Sequence, residues 1–296
     1  MGRQQPAVAL GAVRVSLILL GLLGFVALVL LACIFWLHWQ RFLPETPTEP
    51  PTTVTEDTLP PETTTESTEP TLMPYPLTDL TAADFGYVDG NFTCLTRKCL
   101  RGIDVSRYQE KVDWEKVKEA GYEFVMIRAG YRGYGQAGNM REDEWAQRNY
   151  KGAKKAGLMV GAYFFSQATN EEEAREEALY FLEITKDWEL DMPMVFDWEL
   201  IEEGRAAKVD IDTLTRCAMA FCQEISDVGR RTMIYVSPWF GNLHLDQLEE
   251  YPQWVARYTD VLDYPYRFEM WQYTSSGTVP GVNGPCDINI HFPYDW

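Results

Sequence analysis

The chain has 296 residues, with 26 Lys and Arg against 44 Asp and Glu and a formal net charge of −18. That length accommodates one large domain with a substantial core, plus accessory segments that need not fold. The acidity, and the absence of any Lys/Arg stripe able to track a phosphate backbone, exclude nucleic acid as a partner.

At the N-terminus, residues 1–14 carry Arg3 and Arg14, and residues 15–37 are almost wholly apolar. This run of about 23 residues matches the roughly 20 that a helix needs to cross a bilayer. A cleaved signal peptide has a shorter apolar core, about 7–15 residues, and ends at a small-residue site that is not evident here. Leu30-Leu31-Ala32-Cys33 resembles a lipobox, but Ile34, Phe35, Trp36 and Leu37 prolong the apolar run past the cysteine that lipidation would use. An uncleaved single-pass anchor is therefore the expectation, with a lipidated Cys33 as the alternative. The arginines before the span, and the lack of Lys or Arg between Arg41 and Arg97, predict a cytoplasmic N-terminus and an extracytoplasmic bulk at the cell membrane.

Residues 38–76 are rich in Thr, Pro and Glu and hold too few large apolar side chains to offset ordering entropy. A disordered, proline-stiffened stalk is expected there. Residues 77–99 lead into a domain spanning residues 100–296. Beyond the span lie five cysteines. Cys94 and Cys99 flank a short loop and could pair, whereas Cys217 and Cys222 fall on different faces of a predicted helix. No CxxC pair or zinc-spaced His accompanies them, so neither a structural metal nor a cofactor is expected.

From Leu100 onward, short apolar runs alternate with amphipathic helical stretches, the pattern of a mostly parallel sheet wrapped by helices. Strands are predicted at 100–106, 124–128, 159–165, 194–197, 232–236 and 254–257. Asp113, Asn170 and Asp210 or Asp212 are suited to cap the helices between them, and Gly121, Gly157 and Gly229 to end them. After Trp254 the helices stop. Met270–Tyr273 and Asp287–Asn289 read as hairpin strands around a Gly/Pro turn, which implies an α/β barrel with fewer helices than strands and antiparallel last strands.

Barrel chemistry sits at the C-terminal ends of the strands, where four acids fall. Asp104 ends the first strand, Asp197 and Glu199 the fourth, and Asp287 lies in the last, two residues from Asn289. Two apart in a strand, Asp197 and Glu199 point to one side and Trp198 to the other. Buried carboxylates cost free energy unless they have partners or a function, and their convergence favours function. An oxygen-only cation site is the rival use. Of the three histidines, His38 and His244 are far from these acids in sequence, and His291 stands four residues after Asp287.

At these residues the sequence resembles the glycoside hydrolase family 25 (Chalaropsis-type) lysozymes, from about Gly102 to the C-terminus. The matching pieces are Gly102–Ser106, Phe124–Tyr131, Gly161–Phe165, Phe196–Glu199, Trp254–Tyr258, Trp271–Tyr273 and Asp287–Asn289. The resemblance implies a distorted TIM-like (β/α)5β3 barrel that cleaves the β-1,4 bond between N-acetylmuramic acid and N-acetylglucosamine in peptidoglycan. It departs at Phe164, where many members have His.

Carried over to this chain, Glu199 looks like the general acid, protonated near neutral pH because Asp197, Asp104 and Asp287 crowd charge around it. Asp197 would be a nucleophile or the partner of the substrate's 2-acetamido group. Attack from the face opposite the acid is awkward for two neighbours on one strand, which favours substrate-assisted retention, with Asp104 and Asp287 positioning the pair. Expected substrate contacts are Tyr163, Tyr235, Trp254 and Trp271, whose rings suit sugar faces, together with Asn289 and Arg128, the latter as partner of one of the acids. Peptidoglycan glycan strands, bound by a monomer, are the expected partner. A catalytically inactive peptidoglycan-binding protein on the same fold and a glycosidase of another polysaccharide are the alternatives.

Overall fold

The computed structural model describes residues 76–237, 244 and 247–293. The expected anchor and nearly all of the stalk lie outside the described residues, within which no helix is long and apolar enough to cross a membrane. The chain divides into two units, Met1–Ser67 and Thr68–Trp296, and the second holds the described fold.

Two short strands come first, β1 (Phe85–Val88) and β2 (Asn91–Cys94), followed by β3 (Leu100–Val105), α1 (Trp114–Glu119), β4 (Phe124–Arg132) and β5 (Met140–Glu142). Then come α2 (Ala146–Lys155), β6 (Met159–Ser166), α3 (Glu171–Ile184), β7 (Met194–Trp198), α4 (Ile211–Asp227) and β8 (Thr232–Val236). The strands β9 (Gln253–Ala256), β10 (Met270–Gly277) and β11 (Cys286–His291) end the domain.

Eight strands close a barrel in the order β3-β4-β6-β7-β8-β9-β10-β11, with β11 returning to β3 and β5 appended to β4. β10 runs parallel to β9, so β11 is the only antiparallel strand of the barrel, where the sequence had suggested more than one. Four α-helices of six or more residues occur among the described residues. Much of the β8–β9 connection, where a fifth would fall, lies outside them.

The helix punctuation follows from local chemistry. Asp113, Asn170 and Asp210 each accept a backbone N–H two or three residues into the helix they precede, a contact whose loss costs about 1 kcal/mol. Gly121, Gly157 and Gly229 take the left-handed conformation just past a helix, at φ of 85°, 75° and 75°, where a side chain would be strained.

The barrel strands are predominantly apolar because both faces are covered. Ile103, Val125, Ile127, Val160, Phe164 and Phe196 face the helices, among Phe181, Leu214 and Phe221. Phe124, Met126, Val195, Met233 and Met270 fill the barrel interior. Each fully buried side chain of this size contributes roughly 1.5–3 kcal/mol. Large and small residues alternate inside the barrel: a Cβ on Gly102 would stand 2.5 Å from the Phe124 ring, and one on Gly161 2.5 Å from the Met126 sulfur.

Where the helices stop, another element covers the barrel. The β1–β2 hairpin of the lead-in segment lays Phe85, Phe92 and Cys94 over Val255, Trp271 and Ile290, outward residues of β9, β10 and β11, and over Phe292 just past β11. Cys94 and Cys99 are both free thiols rather than a disulfide; the Cys94 N–H donates to the Cys99 sulfur at 3.4 Å. Cys217 and Cys222 are buried free thiols on α4.

Candidate active site

All four acids reach the same end of the barrel and line one cleft of about 340 Å³. Asp197 lies in β7, beside Tyr235 of β8 and Phe165 of β6, and Glu199 follows directly after the strand. Strand alternation turns both into the cleft, while Trp198 goes to the helix-facing core. Because β11 is antiparallel, Asp287 near its start meets Asp104 near the end of β3, the two being register partners.

A hydrogen-bond chain fixes the floor. Gln272 Nε2 and Asn289 Nδ2 both donate to Asp104 Oδ2 at 2.8 Å. Trp254 Nε1 donates to Asn289 Oδ1 at 2.8 Å, and the Tyr235 and Tyr258 hydroxyls donate to Gln272 Oε1 at 2.9 and 3.1 Å. Asp104 is thereby locked in place. Asp197 differs: it is buried, and its Oδ1 has no hydrogen-bond partner. An unmet buried carboxylate oxygen is costly, and a group entering the cleft can satisfy it.

Electrostatics make the cluster a proton store. Burial, more than neighbouring charge, raises the pKa of each acid. Asp104 is raised to about 6, against the pull of Asn289 and Gln272, and Asp287 to about 8, with Asp104 adding to its shift. Asp197 is pushed well up by burial and then by Glu199; Glu199 is pushed up by burial and then by Asp104. The sequence-based expectation that crowding alone shifts Glu199 thus omits the larger cause. Arg128 opposes both shifts.

The expected contacts divide. Tyr163, Tyr235, Trp254 and Arg128 line the cleft. The Trp254 ring stands edge-on to Tyr163 and Tyr235, at centroid distances of 5.9 and 5.0 Å. Trp271 does not line it: alternation along β10 turns Met270 and Gln272 inward and Trp271 outward, under the hairpin, with its Nε1 on the Arg257 carbonyl. Asn289 is wholly buried beneath the floor and bears on the cleft through Asp104 and Trp254. Arg128 pairs not with one of the four acids but with Asp143, at 2.8 Å, whose buried carboxylate also takes the Arg107 and Trp145 N–H groups. Phe164 faces the helices, so that departure from the family pattern leaves the cleft untouched.

Sequence reasoning missed Gln272, Tyr258, Asp143 and Gln167. The one legible signal was Gln272, a polar residue at an inward position of an aromatic strand. Gln167, fully buried at the end of β6, donates to the Glu199 carbonyl at 2.9 Å. Its own carbonyl accepts from Arg205, which is clamped through both guanidinium nitrogens by Glu173. This contact tethers the backbone of Glu199 to the sheet. Among the described residues, no group of three or more His, Cys, Asp or Glu is placed to hold a metal ion.

The raised acids have a consequence for stability. A carboxyl with a folded pKa near 8, against about 4 when unfolded, holds its proton in the folded state while the unfolded chain has lost it. The folded state then binds more protons between those values, so stability falls as pH rises from about 4 to 8. Asp287→Asn removes that proton linkage. The drop in thermal midpoint from pH 5 to pH 8 is expected to shrink by several degrees in the variant, at about 2–4 °C per kcal/mol, and an unchanged drop by calorimetry would refute the assignment.

Residues 103–282 match Glycosyl hydrolases family 25. The chain is 31% identical over 202 residues to the uncharacterized protein YegX of Escherichia coli K12, covering 64% of this chain and 69% of that protein. It is 28% identical over 207 residues to Lysozyme M1 of Streptomyces globisporus, with coverage of 64% and 67%. Among solved structures, the modular autolysin LytC of Streptococcus pneumoniae superposes with a TM-score of 0.60 at 26% identity, over 70% of this chain and 52% of that one, so this chain spans about half of LytC. With residues 103–282, more than half of the chain, matched by that family, the chain belongs to the glycosyl hydrolases of family 25.

Proposed function

We propose that the domain is an N-acetylmuramidase that cleaves the β-1,4 bond between N-acetylmuramic acid and N-acetylglucosamine in peptidoglycan, with retention of configuration. Glu199 serves as general acid, its pKa raised by desolvation at the cleft and then by the charge of Asp104. The 2-acetamido oxygen of the substrate attacks the anomeric carbon, and Asp197 accepts the acetamido N–H and stabilises the oxazolinium-like charge. The observation that carries this reading is the unpaired, buried Oδ1 of Asp197, an acceptor preset for a donor that the protein does not supply. Asp104 and Asp287 act behind the pair, one locked by Gln272 and Asn289, the other holding a proton. Tyr163, Tyr235 and Trp254, all nearly buried, form the aromatic lining of the cleft against which the sugars would lie.

The test is chemical. Purified peptidoglycan is expected to release reducing ends, with mass analysis placing N-acetylmuramic acid at the new terminus. Products ending in N-acetylglucosamine, or release only from another polysaccharide, would overturn the reading.

The apolar run at 15–37 and the stalk at 38–76 support a single-pass anchor with the barrel outside. At up to about 3 Å per residue the stalk spans as much as about 100 Å, which confines the barrel to the inner wall at high effective concentration. A truncated form starting at Leu77 is expected to be soluble and active on isolated wall, yet to fail in place of the full-length protein in cells at equal abundance. Equal replacement would show the anchor to be dispensable.

A further inference from the structure

One wall of the cleft is built differently from its floor. A 3-10 turn, Arg107–Gln109, follows β3, capped by Ser106, whose Oγ accepts from the Tyr108 N–H. The Arg107 N–H is tied to Asp143, so the residue is fixed at its backbone. The Arg107 guanidinium stands 5.1 Å from the Tyr108 ring and 5.7 Å from the Tyr131 ring, and Arg128 stands 5.3 and 5.5 Å from the same two rings. These two cations have different partners. Arg128 is neutralised by Asp143, and Arg132, also at the cleft, by Glu177 and Glu176. No carboxylate of the described residues lies within ion-pair distance of the Arg107 guanidinium, whose one side-chain hydrogen bond is to the Tyr108 hydroxyl at 3.4 Å.

An anionic substrate meets a difficulty here. The floor presents four carboxyl groups, which repel an anion wherever they are ionised and offer it no cation, so a ligand carrying a carboxylate is best held away from them and against a cation. We propose that Arg107, between Tyr108 and Tyr131, forms a subsite for a carboxylate borne on the lactyl arm of the muramic residue. This inference rests on the muramidase reading and deepens it: it names the group by which the cleft tells a muramic residue from a plain N-acetylglucosamine. The carboxylate has two sources, the lactyl group itself in strands stripped of peptide, or an acid of the stem peptide where the lactyl carboxyl is amide-linked.

Binding to the full-length protein carrying Glu199→Gln, measured by calorimetry, separates recognition from turnover. The probes are short peptide-stripped strands, short strands with stem peptides, and each of these with its carboxylates converted to primary amides. The ratio of affinity for the charged over the amidated strand is the readout. Adding Arg107→Gln is expected to lower that ratio roughly tenfold, the scale of a charge-assisted contact. Arg107→Lys should keep the larger part of it, Arg107→Glu should lower it below the Gln variant, and raised salt should shrink the differences. A fall on stripped strands assigns the lactyl carboxylate, and a fall confined to peptide-bearing strands assigns the stem peptide; either upholds the subsite. A ratio unmoved by the Gln and Glu variants, in protein whose folding is verified by circular dichroism, overturns it. Charge-selective binding with no release of reducing ends by the native protein would leave the subsite standing and refute the muramidase reading; release with an unmoved ratio would do the reverse.

Discussion

Glu199→Gln is expected to abolish hydrolysis of peptidoglycan and leave the domain folded. The two side chains are nearly isosteric, but the amide has no dissociable proton to give the leaving oxygen, and general acid catalysis contributes about 10²–10⁴ in rate. The fold should survive because the carboxyl makes no structural hydrogen bond among those described: Gln167 grips the Glu199 carbonyl, a backbone atom the substitution keeps. The variant also removes an ionisable neighbour, since Glu199 is one of the groups that raise Asp197 and Asp287. Its thermal midpoint at neutral pH is therefore expected to equal or exceed that of the native protein. Near-native turnover by a folded variant, followed by reducing-end release, would remove Glu199 from the role.

Asp197→Asn should cost at least about a hundredfold in kcat, on the scale of losing one preorganised charge-stabilising group. Burial makes the charge matter: at the cleft floor an ionised Asp197 acts in a low dielectric, and Arg128 is the neighbour that favours ionisation. Asn presents a neutral oxygen that still accepts the acetamido N–H but does little for the positive ring that follows. Binding of a substrate fragment should thus change much less than kcat. A covalent glycosyl-enzyme trapped on Asp197 would make it the nucleophile and defeat the substrate-assisted route. A rise in KM with kcat unchanged would make it a binding group instead.

What the sequence determined by itself was whatever local chain chemistry decides. The capping acids at Asp113, Asn170 and Asp210 and the left-handed glycines at 121, 157 and 229 delimit helices because a helix end must satisfy its own backbone groups. The side-by-side projection of Asp197 and Glu199 follows from the two-residue period of a strand, and the segment 232–236 is legible as a buried strand by its nearly continuous apolar run. Rules of that kind cannot reach across the barrel. Only closure of β11 onto β3 sets Asp287 against Asp104, residues at opposite ends of the domain. Closure also gives Asp104 the hydrogen bonds of Gln272 and Asn289, 168 and 185 residues away in sequence. The same phase rule that located Asp197 and Glu199 would have put Gln272 inside and Trp271 outside, had the register of β10 been known. Aromatic character alone does not distinguish an inner face from an outer face covered by the β1–β2 hairpin; the Asp89-Gly90 pair, both at positive φ, marks the hairpin in the sequence, but not the face it covers. Tertiary structure decided the partner of Arg128 as well, because the β4–β5 turn brings a buried Asp143 closer to it than any acid of the floor. Burial itself, the largest cause of every raised pKa in the cleft, is a property of the assembled barrel and of no segment of the chain.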